Sequence, residues 1–135
     1  MNRTIARLRD AINRHDPEAM AALFAPDYRS EQPLHPARGF SGKAQVAANW
    51  TQMFAGVPDL RAGIVKETTE GTTSWTEWVW RGAHRDGTPF LMKGVTVMGV
   101  RDDGLIAWAR LYVEPVEQHS APIDEAVRQL SGTGG

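Results

Sequence analysis

The hydrophobic spacing of this chain changes period once, near Asp59, and that change limits what it can fold into. Before it, apolar residues recur at helical intervals; after it, they alternate. Ile5, Leu8 and Ile12 fall on one face of a first helix, with Arg7, Arg9, Asp10 and Arg14 on the other. Asp16-Pro17-Glu18 reads as an N-cap, a proline at the first helical position and an acid in the first turn. The second helix so started turns Met20, Leu23 and Phe24 inward and ends at Pro26. Residues 28–32 read as a short strand. Pro33-Leu34-His35-Pro36 reads as loop, because each proline biases its predecessor away from helix. Ser41-Gly42 opens a third helix with Val46, Asn49, Trp50, Met53 and Phe54 inward, stopped by Gly56-Val57-Pro58.

Beyond Asp59 the alternation predicts four strands, at 60–69, 73–84, 90–100 and 105–114. Their joints, Glu70-Gly71, Arg85-Asp86-Gly87 and Asp102-Asp103-Gly104, place an acidic residue before glycine, which is hairpin chemistry. Helices followed by an antiparallel meander make an α+β pattern. Long strands curling around helices leave a hollow, the natural place for a pocket.

At 135 residues the chain predicts one domain, 1–120, with 121–135 as a tail that is partly helical and then disordered at Gly132–Gly135. It contains no cysteine, which excludes disulfides, thiolate zinc sites, iron–sulfur clusters and a cysteine nucleophile. Fifteen basic residues against 16 acidic ones give no excess for binding phosphate backbones, so no nucleic-acid partner is expected. No apolar run is long enough to span a membrane. The first residues are charged throughout and lack an apolar signal core, which predicts a cytoplasmic location. His15, His35, His84 and His119 are scattered without metal-ligand spacing. The H-E-x-x-H, G-x-S-x-G, G-x-G-x-x-G and Walker patterns are absent, so neither a metal nor a cofactor is expected.

The order helix–helix–short strand–helix–four strands resembles the nuclear transport factor 2-like cone fold. The local features resemble its SnoaL-like polyketide cyclase branch. Leu23-Phe24-Ala25-Pro26-Asp27 closes the second helix, Phe40-Ser41-Gly42 precedes the third, and Gly87 sits in a hairpin. Asp103-Gly104-Leu105-Ile106 leads into Arg110-Leu111-Tyr112-Val113-Glu114. The resemblance covers roughly residues 2–116. It implies three N-terminal helices packed on a strongly curved, mostly antiparallel sheet, forming a cone with an internal pocket. Members include ketosteroid isomerases, epoxide hydrolases, cyclases, dehydratases and non-catalytic partners, so fold alone does not choose among them. Ketosteroid isomerases work with a tyrosine on the first helix, an aspartate base on the short strand and a protonated aspartate donor on the third long strand. Their positions fall here on Leu8, Gln32 and Thr96, none of which can serve that chemistry. For limonene-type epoxide hydrolases the nearest match is Trp75-Thr76-Glu77, and the last-strand position falls on Leu111. Cyclases of the SnoaL-like kind use an acidic base in an apolar pocket without metal or cofactor.

Alternation sorts the strand residues into two faces. The resemblance implies that Trp78, Trp80, Thr96, Met98, Leu111 and Val113 face the hollow, joined by Tyr28, Gln32 and Trp50. These nine are the expected substrate-binding residues. Glu114, His35, Glu77 and Glu31 are the expected catalytic candidates. The opposite face carries Trp75, Trp108, Arg110 and Tyr112, residue types enriched in interfaces, and predicts a homodimer. The leading functional expectation is a cofactor-independent enzyme, a cyclase, isomerase or dehydratase acting by general acid–base catalysis. Its substrate would be a hydrophobic, carbonyl-bearing small molecule. A non-catalytic ligand-binding or assembly protein and an epoxide hydrolase with a rearranged triad are the alternatives.

Overall fold

In the computed structural model, which describes residues 1–134, Asn2 starts the first helix. Its Oδ1 accepts from the backbone N–H groups of Thr4 and Ile5 at 2.9 and 3.2 Å. Two donors that a helix start leaves unpaired are thereby satisfied. The helix, α1 (Arg3–Asn13), buries Ile5, Leu8 and Ile12 along one face, as their spacing predicts. Asp16 caps α2 (Pro17–Ala21) by accepting from Ala19 N–H at 3.0 Å.

The second helix is shorter than the sequence predicts. The carbonyl of Leu23 accepts from Ile106 N–H at 2.9 Å, and from Phe24 onward the chain is a strand, β1 (Phe24–Glu31). Pro26 therefore lies within a strand instead of ending a helix. It falls in the register shift between Phe24 and Arg29, where its missing N–H interrupts no ladder bond. The segment expected to be loop holds a 3₁₀ turn, Pro36–Arg38, and a two-residue strand, β2 (Phe40–Ser41), antiparallel to β1. Helix α3 (Lys43–Gly56) follows. It buries Val46 and rests Trp50, Met53 and Phe54 half-buried on the core, while Asn49 is exposed.

The four long strands are β3 (Arg61–Glu70), β4 (Thr73–Ala83), β5 (Pro89–Val100) and β6 (Ile106–Pro115), each boundary within one residue of the expected one. They form the predicted antiparallel meander. Beyond it the sheet continues from β6 to β1 in parallel, giving a six-stranded mixed sheet of order β2-β1-β6-β5-β4-β3. At Gly94 a Cβ would overlap the Tyr112 carbonyl, so glycine is what lets β5 approach β6 closely there. Alternation on β4 is clean. Thr76, Trp78 and Trp80 are buried against the helices, while Trp75 and Glu77 are exposed on the outer face. Asn13 ties α1 to the sheet. Its Oδ1 accepts from Ala62 N–H at 2.7 Å and its Nδ2 donates to Ala62 O at 3.0 Å.

After β6, α4 (Ile123–Ser131) buries no residue. Gly132 ends it in the left-handed conformation, and Thr133 and Gly134 N–H donate to Arg128 O. Of the four tail residues expected to be disordered, Gly135 lies outside the described residues. No helix among the described residues is long and apolar enough to cross a membrane.

Candidate functional site

Between the helices and the inner sheet face lies a cavity of about 230 Å³. Its aromatic side chains meet at angles instead of stacking. The ring of Trp80 stands 5.2 Å from that of Trp50 at 75° and 6.4 Å from that of Trp78 at 61°. Edge-to-face pairs of this kind are a favoured aromatic geometry.

Each of the nine residues expected to hold substrate lines the cavity. Tyr28 comes from β1, Gln32 from just beyond it, and Trp50 from α3. Trp78 and Trp80 come from β4, Thr96 and Met98 from β5, and Leu111 and Val113 from β6. Sequence reasoning missed others. Met92 and Ser30 share an alternation face with Met98 and Tyr28, a signal that could have found them. Arg38 offered no such signal, since it stands in a turn fixed by the β1–β2 pairing.

Most of the cavity wall is apolar, with a small polar set. Trp78 Nε1 donates to Thr96 Oγ1 at 2.8 Å, a buried hydrogen bond. Burial pushes the Tyr28 phenol up to about 12, with a hydrogen bond from Ser30 pulling the other way. Desolvation disfavours the phenolate, so Tyr28 keeps its proton and remains a donor. Trp80 Nε1 is buried without a hydrogen-bond partner; so is Thr76 Oγ1, behind the cavity wall. An unpaired buried donor costs about 1–3 kcal/mol. Arg38 is the one charged side chain lining the cavity among the described residues, and it donates to Gln32 Oε1 at 3.2 Å.

The four catalytic candidates stand elsewhere. Alternation turns Val113 into the cavity and Glu114 away from it. Glu114 Oε1 meets His35 Nε2 at 2.6 Å, both side chains being about one-third exposed, at 35% and 38%. Glu31 lies opposite cavity-lining Ser30 and pairs with Arg29 at 3.1 Å and Arg110 at 3.7 Å. Glu77 is exposed on the outer face of β4. The fold thus brings His35 and Glu114 together and leaves Glu31 and Glu77 apart from them. No carboxylate or imidazole of the described residues lines the cavity, so the desolvated carboxylate base expected from sequence is not on its wall. Leu8, Gln32 and Thr96, which stand at the isomerase positions, all line it and carry no ionisable group there. Among the described residues no cluster of three His, Asp or Glu side chains is placed to hold a metal ion.

Helices against one face of a mixed sheet, enclosing an apolar cavity, define a small α+β domain built around a ligand-sized hollow. The chain belongs to the SnoaL-like domain family, whose model matches residues 5–125. Among solved structures it is similar to IdmH of Streptomyces antibioticus, a candidate polyketide cyclase. The two share 27% identity and a TM-score of 0.72, over 82% of this chain and 89% of that one. It is similar in fold to a candidate SnoaL-like polyketide cyclase from Jannaschia, at 21% identity and a TM-score of 0.70, over 82% and 83% of the two chains. It is likewise similar in fold to RV0760c of Mycobacterium tuberculosis, solved with estradiol-17beta-hemisuccinate, at 22% identity and a TM-score of 0.69, over 81% and 89%. No curated protein matches the sequence significantly.

Proposed function

We propose that this protein is a cofactor-independent enzyme of the cyclase and isomerase type, acting on a hydrophobic, carbonyl-bearing small molecule held in the cavity. The observation that carries this reading is the aromatic cavity with a buried, proton-retaining Tyr28 on its wall. The register shift at Ile64/Lys66 and the close approach at Gly94 are features that bend sheets, and they support a cone around that cavity. Donors at a substrate carbonyl polarise it and stabilise the oxyanion that forms when an α-proton leaves. Glu114 accepts from His35 Nε2, which leaves Nδ1 of the neutral imidazole as the basic nitrogen. His35 belongs to the same short segment as cavity-lining Gln32 and Arg38, to which it is tied by backbone hydrogen bonds. In this reading the α-proton passes to His35 Nδ1 and the enolate oxygen rests on Tyr28 O–H; the enolate carbon then either takes the proton back at another position or attacks a second carbonyl of the substrate, whose oxygen takes the proton from His35.

A second reading, a ligand carrier without turnover, is favoured by one observation: the cavity wall carries no carboxylate or imidazole among the described residues. Hydrogen–deuterium exchange at the α-carbons of 2-tetralone, followed by NMR in D2O, separates the two. The enzyme reading expects exchange faster than buffer, reduced about 100-fold or more in His35→Ala, since positioned general bases contribute on that order. Binding of 2-tetralone with exchange at the buffer rate would establish the carrier instead.

The outer sheet face supports a homodimer as part of the same proposal. Trp75, Trp108 and Tyr112 are exposed there at 49%, 37% and 37%, on β4 and β6. Clustered aromatic side chains of this size are unusual on a bare surface.

A further inference from the structure

Three polar side chains of the cavity already accept a hydrogen bond on their oxygen. Gln32 Oε1 accepts from Arg38 at 3.2 Å, and Asn49 Oδ1 accepts from Gln45 Nε2 at 2.6 Å. Thr96 Oγ1 accepts from Trp78 Nε1 at 2.8 Å. Each of these bonds leaves donor hydrogens behind. Gln32 and Asn49 retain their amide N–H groups and Thr96 its hydroxyl hydrogen. To these are added the Tyr28 O–H, held protonated by burial, and the remaining N–H groups of Arg38. Arg38 brings a positive charge, and no acidic side chain of the described residues lines the cavity to oppose it.

The geometry points to a ligand class: a flat hydrophobic body of about two fused rings that carries an anionic oxygen group, a carboxylate or the enolate of a dicarbonyl. This inference rests on the small-molecule reading of the cavity above and narrows it. The cavity volume is about 230 Å³. That matches a compact two-ring body. An oxygen anion supplies acceptors to a wall that offers donors, and its charge is complementary to Arg38. A cationic ligand of the same shape meets like charge at Arg38 and, among the described residues, no carboxylate on the wall. A neutral hydrocarbon fills the space and leaves the Arg38 charge without a counter-charge.

The test compares 2-naphthoate, 2-naphthamide and 2-naphthylmethylammonium by titration calorimetry on the full chain. The expected result is 2-naphthoate binding at least ten-fold tighter than the amide, with the ammonium weakest. Raising salt narrows the gap between the naphthoate and the amide, because an exposed cation at the mouth is screened. In Arg38→Met the naphthoate loses its advantage while the amide keeps its affinity; Arg38→Lys retains part of the preference. Equal affinity for all three probes, or a preference for the ammonium, overturns the anionic ligand class and leaves the cavity reading intact. Failure of all three to bind folded protein overturns both.

Discussion

Burial holds the Tyr28 phenol protonated well above its ordinary range, and this has a measurable consequence for stability. The folded group titrates at about 12 and the unfolded one at 10.0. A raised value in the folded state means that its contribution is fully present below pH 10 and is lost as pH rises through about 12. The loss over that window is about 2–3 kcal/mol, from about 1.4 kcal/mol for each unit of separation. Absorbance titration in a Tyr112→Phe background, which leaves Tyr28 as the sole phenol, is expected to show a transition near 12 accompanied by falling resistance to denaturant. A midpoint near 10 in folded protein would contradict the buried donor. At this scale the sequence was most legible where period two governs. The alternation that puts Trp78, Thr96 and Val113 on the inner face also puts Glu114 on the outer one. The His35–Glu114 contact and the use of Gln32 as an acceptor for Arg38 join residues through a turn that no local pattern describes.

Element boundaries follow local propensity except where the sheet recruits a segment. The β3–β6 meander was legible to within one residue at each boundary because Gly-containing turns punctuate the alternation. The end of α2 was not. Leu23 and Phe24 satisfy helical spacing, yet β6 claims their backbone through Ile106, a partner far along the chain. Long-range pairing of that kind overrides weak helix propensity. The opposite case is α4, which stays helical although none of its residues is buried. Its stripe of Ile123, Val127 and Leu130 is exposed, and most of the helix lies past the family match that ends at residue 125. We therefore propose that the folding unit ends before it, at about residue 120. Ending the chain after Ser120 is expected to change unfolding free energy by less than about 0.5 kcal/mol, as for other changes away from packed features. Chemical denaturation checks this, and a loss of about 2 kcal/mol or more, the size of a core defect, would show that α4 is part of the unit.

The whole molecule presents two unlike sheet faces, and we propose that the outer one mediates self-association. Register places Trp75, Val97 and Arg110 side by side across β4, β5 and β6, with Glu31 next on β1. Val97 is 6% exposed although it points outward, with Trp75 and Arg110 beside it in register. Trp108 lies over Gly99 so closely that a Cβ there would run into its indole. The face is therefore a firm aromatic surface with Arg110 and Glu31 at one side, and Glu77 and Lys93 are on the same outer face of β4 and β5. A two-fold arrangement of such a face can bury its tryptophans and set basic side chains against acidic ones, as isologous interfaces require. The antiparallel half of this surface was legible from alternation. Its extension onto β1 was not, since a parallel strand pair between the two ends of the chain leaves no local signature. Arg110→Glu puts an acid beside Glu31 on this face. It is expected to weaken self-association at least ten-fold and to leave folding almost unchanged, because the exposed Arg110–Glu31 pair at 3.7 Å contributes about 0–1 kcal/mol. Gly99→Ala displaces the Trp108 indole and is expected to weaken association in the same direction by a steric route. Sedimentation velocity over a concentration series reads both variants. A wild-type monomer throughout, or a dimer indifferent to Arg110→Glu and Gly99→Ala alike, would move the interface off this face.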